Sequence, residues 1–345
     1  MNGANPESLV GMARAYARGK MLCAAVRLGV ADILSEGEAG LDALAAKADS
    51  NVDSLGRLMR GLASIGVVKE TAPNRFALTS FGAPLSRSAP DSVWASIVFW
   101  ADLLADAWTY LPDCVRAGGM SGAAEARERD HAPSRWSLEP NATAIFHAVF
   151  AEPSVESMAP LAKVLDLSMS RIVADLGGAG GGLLSAILLA NPHLQGILVD
   201  RQEAVDGATR RFESLGLSGR CRAIVGDLAE AVPAGADVYI LKSVLHGCDD
   251  AAAGRILGNC RRVMSPKHRL LVIEAVLPER VEKPDTRVEE MFISDLNMLA
   301  VTGGRERRAS EWKSLLSSAG FDLRRLVLGS KQILTVIEAS PLAGD

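Results

Sequence analysis

No uncharged apolar run in the 345 residues approaches the ~20 needed to span a bilayer, and the amino-terminal MNGANPESLVGMARAY lacks the basic start and apolar core of an export signal. Cysteines are few. The five (Cys23, Cys114, Cys221, Cys248, Cys260) are odd in number, scattered and without a C-x-x-C pair, which argues against a disulfide framework or a zinc site. No His, Asp or Glu set shows ligand spacing either, so no metal is expected. Positive charge is not in excess: 37 Lys and Arg against 41 Asp and Glu leave a net charge of −4, giving no bulk attraction to nucleic acid or anionic lipid. What remains, 48% hydrophobic and 23% charged residues, is an ordinary folded composition, too apolar for disorder. The expectation is a cytoplasmic chain with reduced thiols and, from its length, two domains.

From Leu9 to about Arg87 apolar residues recur at helical spacing. A helix is expected from Met12 to Leu34, with apolar side chains on more than one face, and such a helix needs partners on several sides. Burial of part of it by a second copy of the chain is one expectation; burial within its own domain is the other. Two short helices about the polar turn Lys47 to Asp53, then VVKETAPNRFALTS as two strands around a Pro-Asn turn, form a winged-helix pattern. Its second helix, DSLGRLMRGLASIG, has only Arg57 and Arg60 as cations. That suits packing better than DNA reading.

Between Val93 and about Met158 lie four of the five tryptophans with Phe99, Phe146 and Phe150, interrupted by the polar loop GGMSGAAEARERDHAPSRWS. Clustered aromatics serve either as helix-packing core or, where two domains join, as a pocket.

Beyond Leu167 the texture changes. RIVADL, GILVD, CRAIVGD, ADVYILKSVL and HRLLVIEAVL are short β-branched runs separated by helical patterns, which predicts a parallel α/β sheet. FDLRRLVLGSKQILTVIEA instead places two strands about a Gly-Ser turn, an antiparallel hairpin that closes the sheet.

The loop after the first strand runs from Asp175 through Gly177 and Gly178 to Gly182 and opens a helix. Glycines there let a ligand approach the backbone at a helix amino terminus, although a flexible linker would look alike. The G-x-G-x-x-G dinucleotide fingerprint is absent. Asp200 ends the next strand some 25 residues beyond Asp175, close to the ~20 expected of an acid that binds ribose hydroxyls. A nucleoside is therefore expected; a capping role for Asp200 is the alternative. Gly226-Asp227 closes the third strand, where Asp227 either accepts from an adenine amine or caps the next helix. Glu274 interrupts the apolar LLVIEAVL, and a buried carboxylate there requires a partner, which a protonatable histidine would supply.

Taken together, VADLGGAGGGLLSAILLANP, the acid of LVD, the GD after the third strand, LKSVLHGCDD, VIEAVLP and LNMLAVTGGRERRASEWKSLLSSAGF resemble the S-adenosylmethionine-dependent O-methyltransferases of the caffeate and acetylserotonin type, common in bacterial natural-product pathways. The resemblance covers nearly the whole chain. It implies a Rossmann-like sheet of order 3-2-1-4-5-7-6 with an antiparallel last strand, and an intertwined dimer. The implied division is a winged-helix dimerisation domain over 1–110, a helical linker and lid over 111–165 and a cofactor-binding catalytic domain over 166–345.

Carried over residue by residue, the resemblance implies that Asp175, Gly177 and Gly178 hold the methionine part of S-adenosylmethionine, Asp200 and Arg201 the ribose side, and Gly226, Asp227 and Leu228 the adenine, with Lys242 beside the cofactor. His246 matches the catalytic base, and Glu274 and Glu306 match the acids that orient it. Read alone, RERR would be a solvated salt-bridged surface. A neutral histidine, titrating near pH 6.5, is chemically suited to take a hydroxyl proton. Trp100, Trp136, Phe146, Phe150, Phe292, Asp295, Asn297 and Met298 are expected to recognise a small, hydroxylated aromatic or polyketide-like acceptor. His246-Gly247-Cys248 departs from the usual acid and aromatic after the histidine, with Asp249 and Asp250 expected to cap the next helix. Leu228 stands where an aromatic often covers adenine. The remaining alternatives are carbon or nitrogen methylation, a non-methylating reaction on the same fold, and a winged-helix regulator sensing a metabolite.

Overall fold

The computed structural model describes residues 6–130, 134–149, 154–328 and 334–343. All seven apolar runs of the second half form strands, here β1 (Ile172–Leu176), β2 (Gln195–Asp200), β3 (Cys221–Val225), β4 (Val238–Lys242), β5 (Arg269–Leu277), β6 (Phe321–Leu328) and β7 (Leu334–Pro341). Their order is 3-2-1-4-5-7-6. β1 to β5 pair in parallel. β7 runs antiparallel to both β5 and β6. This is the Rossmann-like sheet that the family resemblance implies; the Gly-Ser turn of the hairpin lies outside the described residues.

Strand side chains alternate between two apolar layers, as a period of two requires when both faces are covered. Leu176, Val199, Leu241 and Val272 pack with Ile256, Leu257, Trp312 and Leu316 on one face. Val173, Leu198, Ile240 and Ile273 pack with Leu184, Ile187, Ala208 and Phe212 on the other.

By their internal contacts the residues divide into two units, 1–109 with 130–151, and 110–129 with 152–345. The segment 111–165, expected as a linker and lid, is thus shared between them. In the first unit the expected helix from Met12 to Leu34 is two, Pro6–Arg27 and Val30–Ser35. Gly29, at φ 66°, breaks it, because a left-handed residue ends one helix and caps the next. Helices Leu41–Lys47 and Val52–Ser64 and strands Val68–Ala72 and Arg75–Leu78 form the winged helix, with Ala39–Gly40 as a third strand. Arg60 donates to Asn74 Oδ1 at 2.6 Å and lies 3.7 Å from Glu70.

The expected polar loop between the tryptophans is partly helical, Ser121–Asp130, with all but its last residue in the second unit. Ala, Glu and Arg are strong helix formers, and the buried face is carried by small Ala123 and Ala126, too weak an apolar signal to register as periodicity. Among the described residues no helix is long and apolar enough to cross a membrane.

Candidate active site

The site is built at the carboxyl edge of the sheet, where ligands bind in open α/β folds. The glycine loop leaves β1 with Gly177 at φ 71° and Gly181 at φ 85°, the latter capping helix Gly182–Ala190. A Cβ on Gly178 would fall 2.7 Å from the carboxylate of buried Asp175, so the loop lies directly over that acid. Asp200 Oδ2 accepts the Ala179 N–H at 2.8 Å and Oδ1 accepts that of Arg201 at 2.7 Å, which joins the ends of β1 and β2. Past β3 and Gly226, Asp227 Oδ1 accepts from Ala229 at 2.8 Å, so this carboxylate holds a turn. Buried Leu228 reaches toward Gly177 and passes its carbonyl to Asn259. Lys242 is the last residue of β4. The open backbone of this loop and the acids beyond β2 and β3 suit an adenosyl group with a charged amino-acid tail.

Beyond Lys242 the chain turns sharply, with Ser243 at φ 55°, into a single tight turn, Leu245–Gly247, that carries His246. Lys242 pairs with Ile273, so Glu274 lies one residue further along β5, beside this turn. Glu274 is 0% exposed, and its Oε1 accepts three backbone N–H groups, from Val244 (2.9 Å), Leu245 (2.8 Å) and His246 (3.3 Å). Those amides are its first partners; the imidazole Nδ1 stands 3.5 Å from Oε2. The stronger ring contact is to Glu306, whose Oε1 lies 3.0 Å from Nδ1. No hydrogen bond joins Nε2 to any described residue. A neutral ring that donates from Nδ1 to a carboxylate therefore keeps the Nε2 lone pair for a substrate proton.

Burial disfavours the imidazolium, but the Glu306 hydrogen bond and the charges of Glu274 and Glu306 outweigh both burial and the opposing Lys242, raising the His246 pKa above its ordinary value. Burial likewise raises the Glu274 carboxyl, which the His246 charge and the backbone amides only partly offset. One donor atom from each of these three residues lies within 4.8 Å of the others, a proximity that their sequence spacing does not reveal. The 3.0 Å contact is the length of a hydrogen bond.

Glu306 is held from helix Thr286–Val301. Ser294 donates its hydroxyl to Glu306 Oε1 at 2.9 Å, and Asp295 accepts the Glu306 N–H at 2.9 Å. Met291, Ser294, Asp295 and Met298 fall at i, i+3, i+4 and i+7, one face of that helix. Burial raises the Asp295 carboxyl against the pull of that N–H. Phe292 packs beside Ala275 and Leu277, and Asn297 is buried.

The RERR run is not the solvated surface that a charge run suggests. Glu306 is 2% and Arg307 1% exposed, while Arg305 and Arg308 face outward. Gly304 makes this docking possible, since a Cβ there would lie 2.1 Å from the His246 carbonyl oxygen. Asp250 departs from expectation too. Asp249 alone caps helix Asp250–Val263, and Asp250 instead takes two hydrogen bonds from Arg307. Ser294, Gly304 and Arg307 were not singled out from sequence; the paired glycines ahead of an arginine-rich run were the available signal.

In the first unit, Trp100, Trp136 and Phe146 are half-exposed and meet edge to face, Phe146 touching Trp136 at 6.1 Å while buried Phe99 contacts Trp100 at 5.8 Å and Phe146 at 6.1 Å. Phe150 lies outside the described residues.

The chain matches the family model of an O-methyltransferase domain over residues 108–322 and that of an O-methyltransferase dimerisation domain over residues 10–87. It is 34% identical to the phenazine O-methyltransferase PhzM of Lysobacter antibioticus, over 99% of this chain and 98% of that one. Among solved structures, the mitomycin 7-O-methyltransferase MmcR superposes with a TM-score of 0.84 at 31% identity, covering 97% of each chain. The O-methyltransferase NcsB1, solved with S-adenosylmethionine and 2-hydroxy-5-methyl naphthoic acid, superposes at 0.76 with 29% identity over 94% of this chain and 96% of its own. A chain with this sheet, this histidine between two acids and these matches belongs to the family of S-adenosylmethionine-dependent O-methyltransferases.

Proposed function

We propose that this enzyme methylates a hydroxyl of a small aromatic metabolite, with His246 as the general base. The observation that carries the reading is the 3.0 Å contact between His246 Nδ1 and Glu306, which directs the free Nε2 lone pair away from the acids. When bound, S-adenosylmethionine supplies an electrophilic sulfonium methyl group. The residues proposed to hold it are Asp175, Gly177 and Gly178 for the methionine part, Asp200 and Arg201 for the ribose, Gly226, Asp227 and Leu228 for the adenine, and Lys242 alongside. Both oxygens of Asp200 and one of Asp227 accept backbone N–H groups, which fixes the orientation of each carboxylate. Nε2 takes the hydroxyl proton as the oxygen becomes nucleophilic, and Glu306 stabilises the imidazolium, with Glu274 bracing the turn.

For the acceptor we propose contacts from Phe292, Asp295, Asn297 and Met298 on helix Thr286–Val301. The half-exposed edges of Trp100, Trp136 and Phe146 are a separate proposal for aromatic contact, to which Phe150 belongs by sequence. We further propose a homodimer formed through the first unit. The dimerisation-domain match and the exposed apolar Leu9, Val10, Met12 and Tyr16 on helix Pro6–Arg27 support it.

The test is His246→Gln assayed with deuteriomethyl-labelled cofactor and a panel of mono- and bicyclic phenols. Turnover should fall roughly 10²- to 10⁴-fold while S-adenosylhomocysteine binds as before, and the label should appear on oxygen. Wild-type turnover in the variant would remove the base assignment; label on carbon or nitrogen would change the reaction class.

A further inference from the structure

Arg307 has no part in the chemistry assigned to His246 and its two acids, yet it is 1% exposed and all five of its guanidinium N–H groups have acceptors in reach. Nε and Nη2 donate to Asp250 Oδ1 at 3.0 and 2.8 Å. Nη1 donates to the Leu245 carbonyl at 2.8 Å, with the Arg305 carbonyl at 3.5 Å. Nη2 also reaches the Cys248 carbonyl at 3.0 Å. The guanidinium packs over the Trp312 ring, 5.2 Å from its centroid. Two of the carbonyls bracket His246 on either side, and the His246 carbonyl itself accepts the Arg305 N–H at 2.8 Å.

The histidine turn is thus gripped by its backbone from two directions. Its N–H groups converge on Glu274 Oε1, and its carbonyls are taken by Arg307 and the Arg305 amide. We propose that Arg307 is a positioning residue for methyl transfer, holding the turn Leu245–Gly247 so that His246 stays in register with Glu306. The proposal rests on the reading of His246 as base for its catalytic consequence, but not for its structural content. A lysine cannot substitute: its three donors radiate from one nitrogen, whereas the fork spans a carboxylate and two carbonyls at once. Misplacement of a catalytic group by about 1 Å can cost on the order of 100-fold in rate.

The experiment compares Arg307→Lys with the wild-type enzyme by proton–carbon NMR titration of His246, whose charged neighbours are Glu306, Glu274 and Lys242. In the lysine variant the His246 pKa should drop toward its ordinary value and the hydrogen-bonded Nδ1–H resonance should broaden through faster exchange. Turnover with the best acceptor of the phenol panel should fall roughly ten- to hundredfold, with S-adenosylhomocysteine affinity within about twofold. Asp250→Asn, at a largely exposed side chain, is the second variant should the lysine form not fold; it should broaden the same Nδ1–H resonance to a lesser degree. A folded variant with wild-type titration and resonance overturns the proposal, as does activity lost only in proportion to lost S-adenosylhomocysteine sites. Failure of the base reading is seen separately, as full turnover in His246→Gln with the Arg307→Lys titration still shifted.

Discussion

Each unit buries an acid cluster, and the two are built to opposite ends. In the first unit Asp102, on the π-helical turn Phe99–Leu103, receives Arg27 through Nε and Nη2 at 3.2 and 2.7 Å and Arg135 through Nε and Nη2 at 3.0 Å each. Arg27 also pairs with Glu139 at 2.6 Å. Burial pushes the Asp102 carboxyl up, but hydrogen bonds and charge from Arg135 and Arg27 prevail and hold it below the usual carboxylate range. In the second unit Glu274 and Glu306 share one titratable imidazole, and each keeps an Oε2 without a hydrogen bond from any described residue. A cluster with permanent cations is locked in one charge state; a cluster around a histidine can gain and lose a proton. Equal burial therefore says little about function, and the identity of the cation says much.

The largest effect is expected at Glu306, in the titratable cluster. Glu306→Gln keeps a hydrogen-bond acceptor for Nδ1 and removes the charge. Turnover should fall on the order of 100-fold. On the proposed base role the neutral imidazole is the active form, so activity should be lost as pH falls through the His246 pKa. The wild-type acid limb should accordingly lie above pH 6.5, and in the variant it should move to lower pH; a pH-rate series reads both.

Asp102→Asn is the counterpart in the first unit. It leaves two arginines short of a charge and should cost about 2–3 kcal/mol in urea unfolding, less than the ~3–5 kcal/mol of a fully buried pair because both arginines retain some water. The Asp102 pKa is lowered on folding, so the stability it contributes is present above the unfolded carboxyl value near 3.9 and is lost as pH drops through the folded one. The stability difference between variant and wild type should thus shrink as pH falls below the ordinary carboxylate range.

The smallest effect is expected at Asp200→Ala. Cofactor affinity by calorimetry should weaken roughly tenfold, with unfolding little changed, since what is lost locally is the pair of contacts to the Ala179 and Arg201 N–H groups.

The legible parts of the chain were those whose signal is local. Strands β1 to β5 could be read because β-branched runs bounded by Gly, Pro or charge need no distant context, and the glycine loop because close backbone approach demands that residue type. Glu274 was conspicuous as a lone charge within an apolar strand. Arg307 was not, because burial of one arginine among three depends on docking against a turn some 60 residues earlier. The same holds for Asp250, where a helix-capping rule describes its neighbour and an ion pair formed at long range describes it. Gly29 stands within an apolar pattern that continues on both sides, so periodicity alone ran the helix through it.

Gly304 sets a limit on how acceptor scope can be altered. With two backbones pressed together at that point, libraries randomised across the 303–307 loop should return mostly dead clones whatever substrate is screened. Diversity is better introduced along helix Thr286–Val301 at Phe292 and Met298, two of the proposed acceptor contacts, since the hydrogen bonds that hold Glu306 come from Ser294 and Asp295.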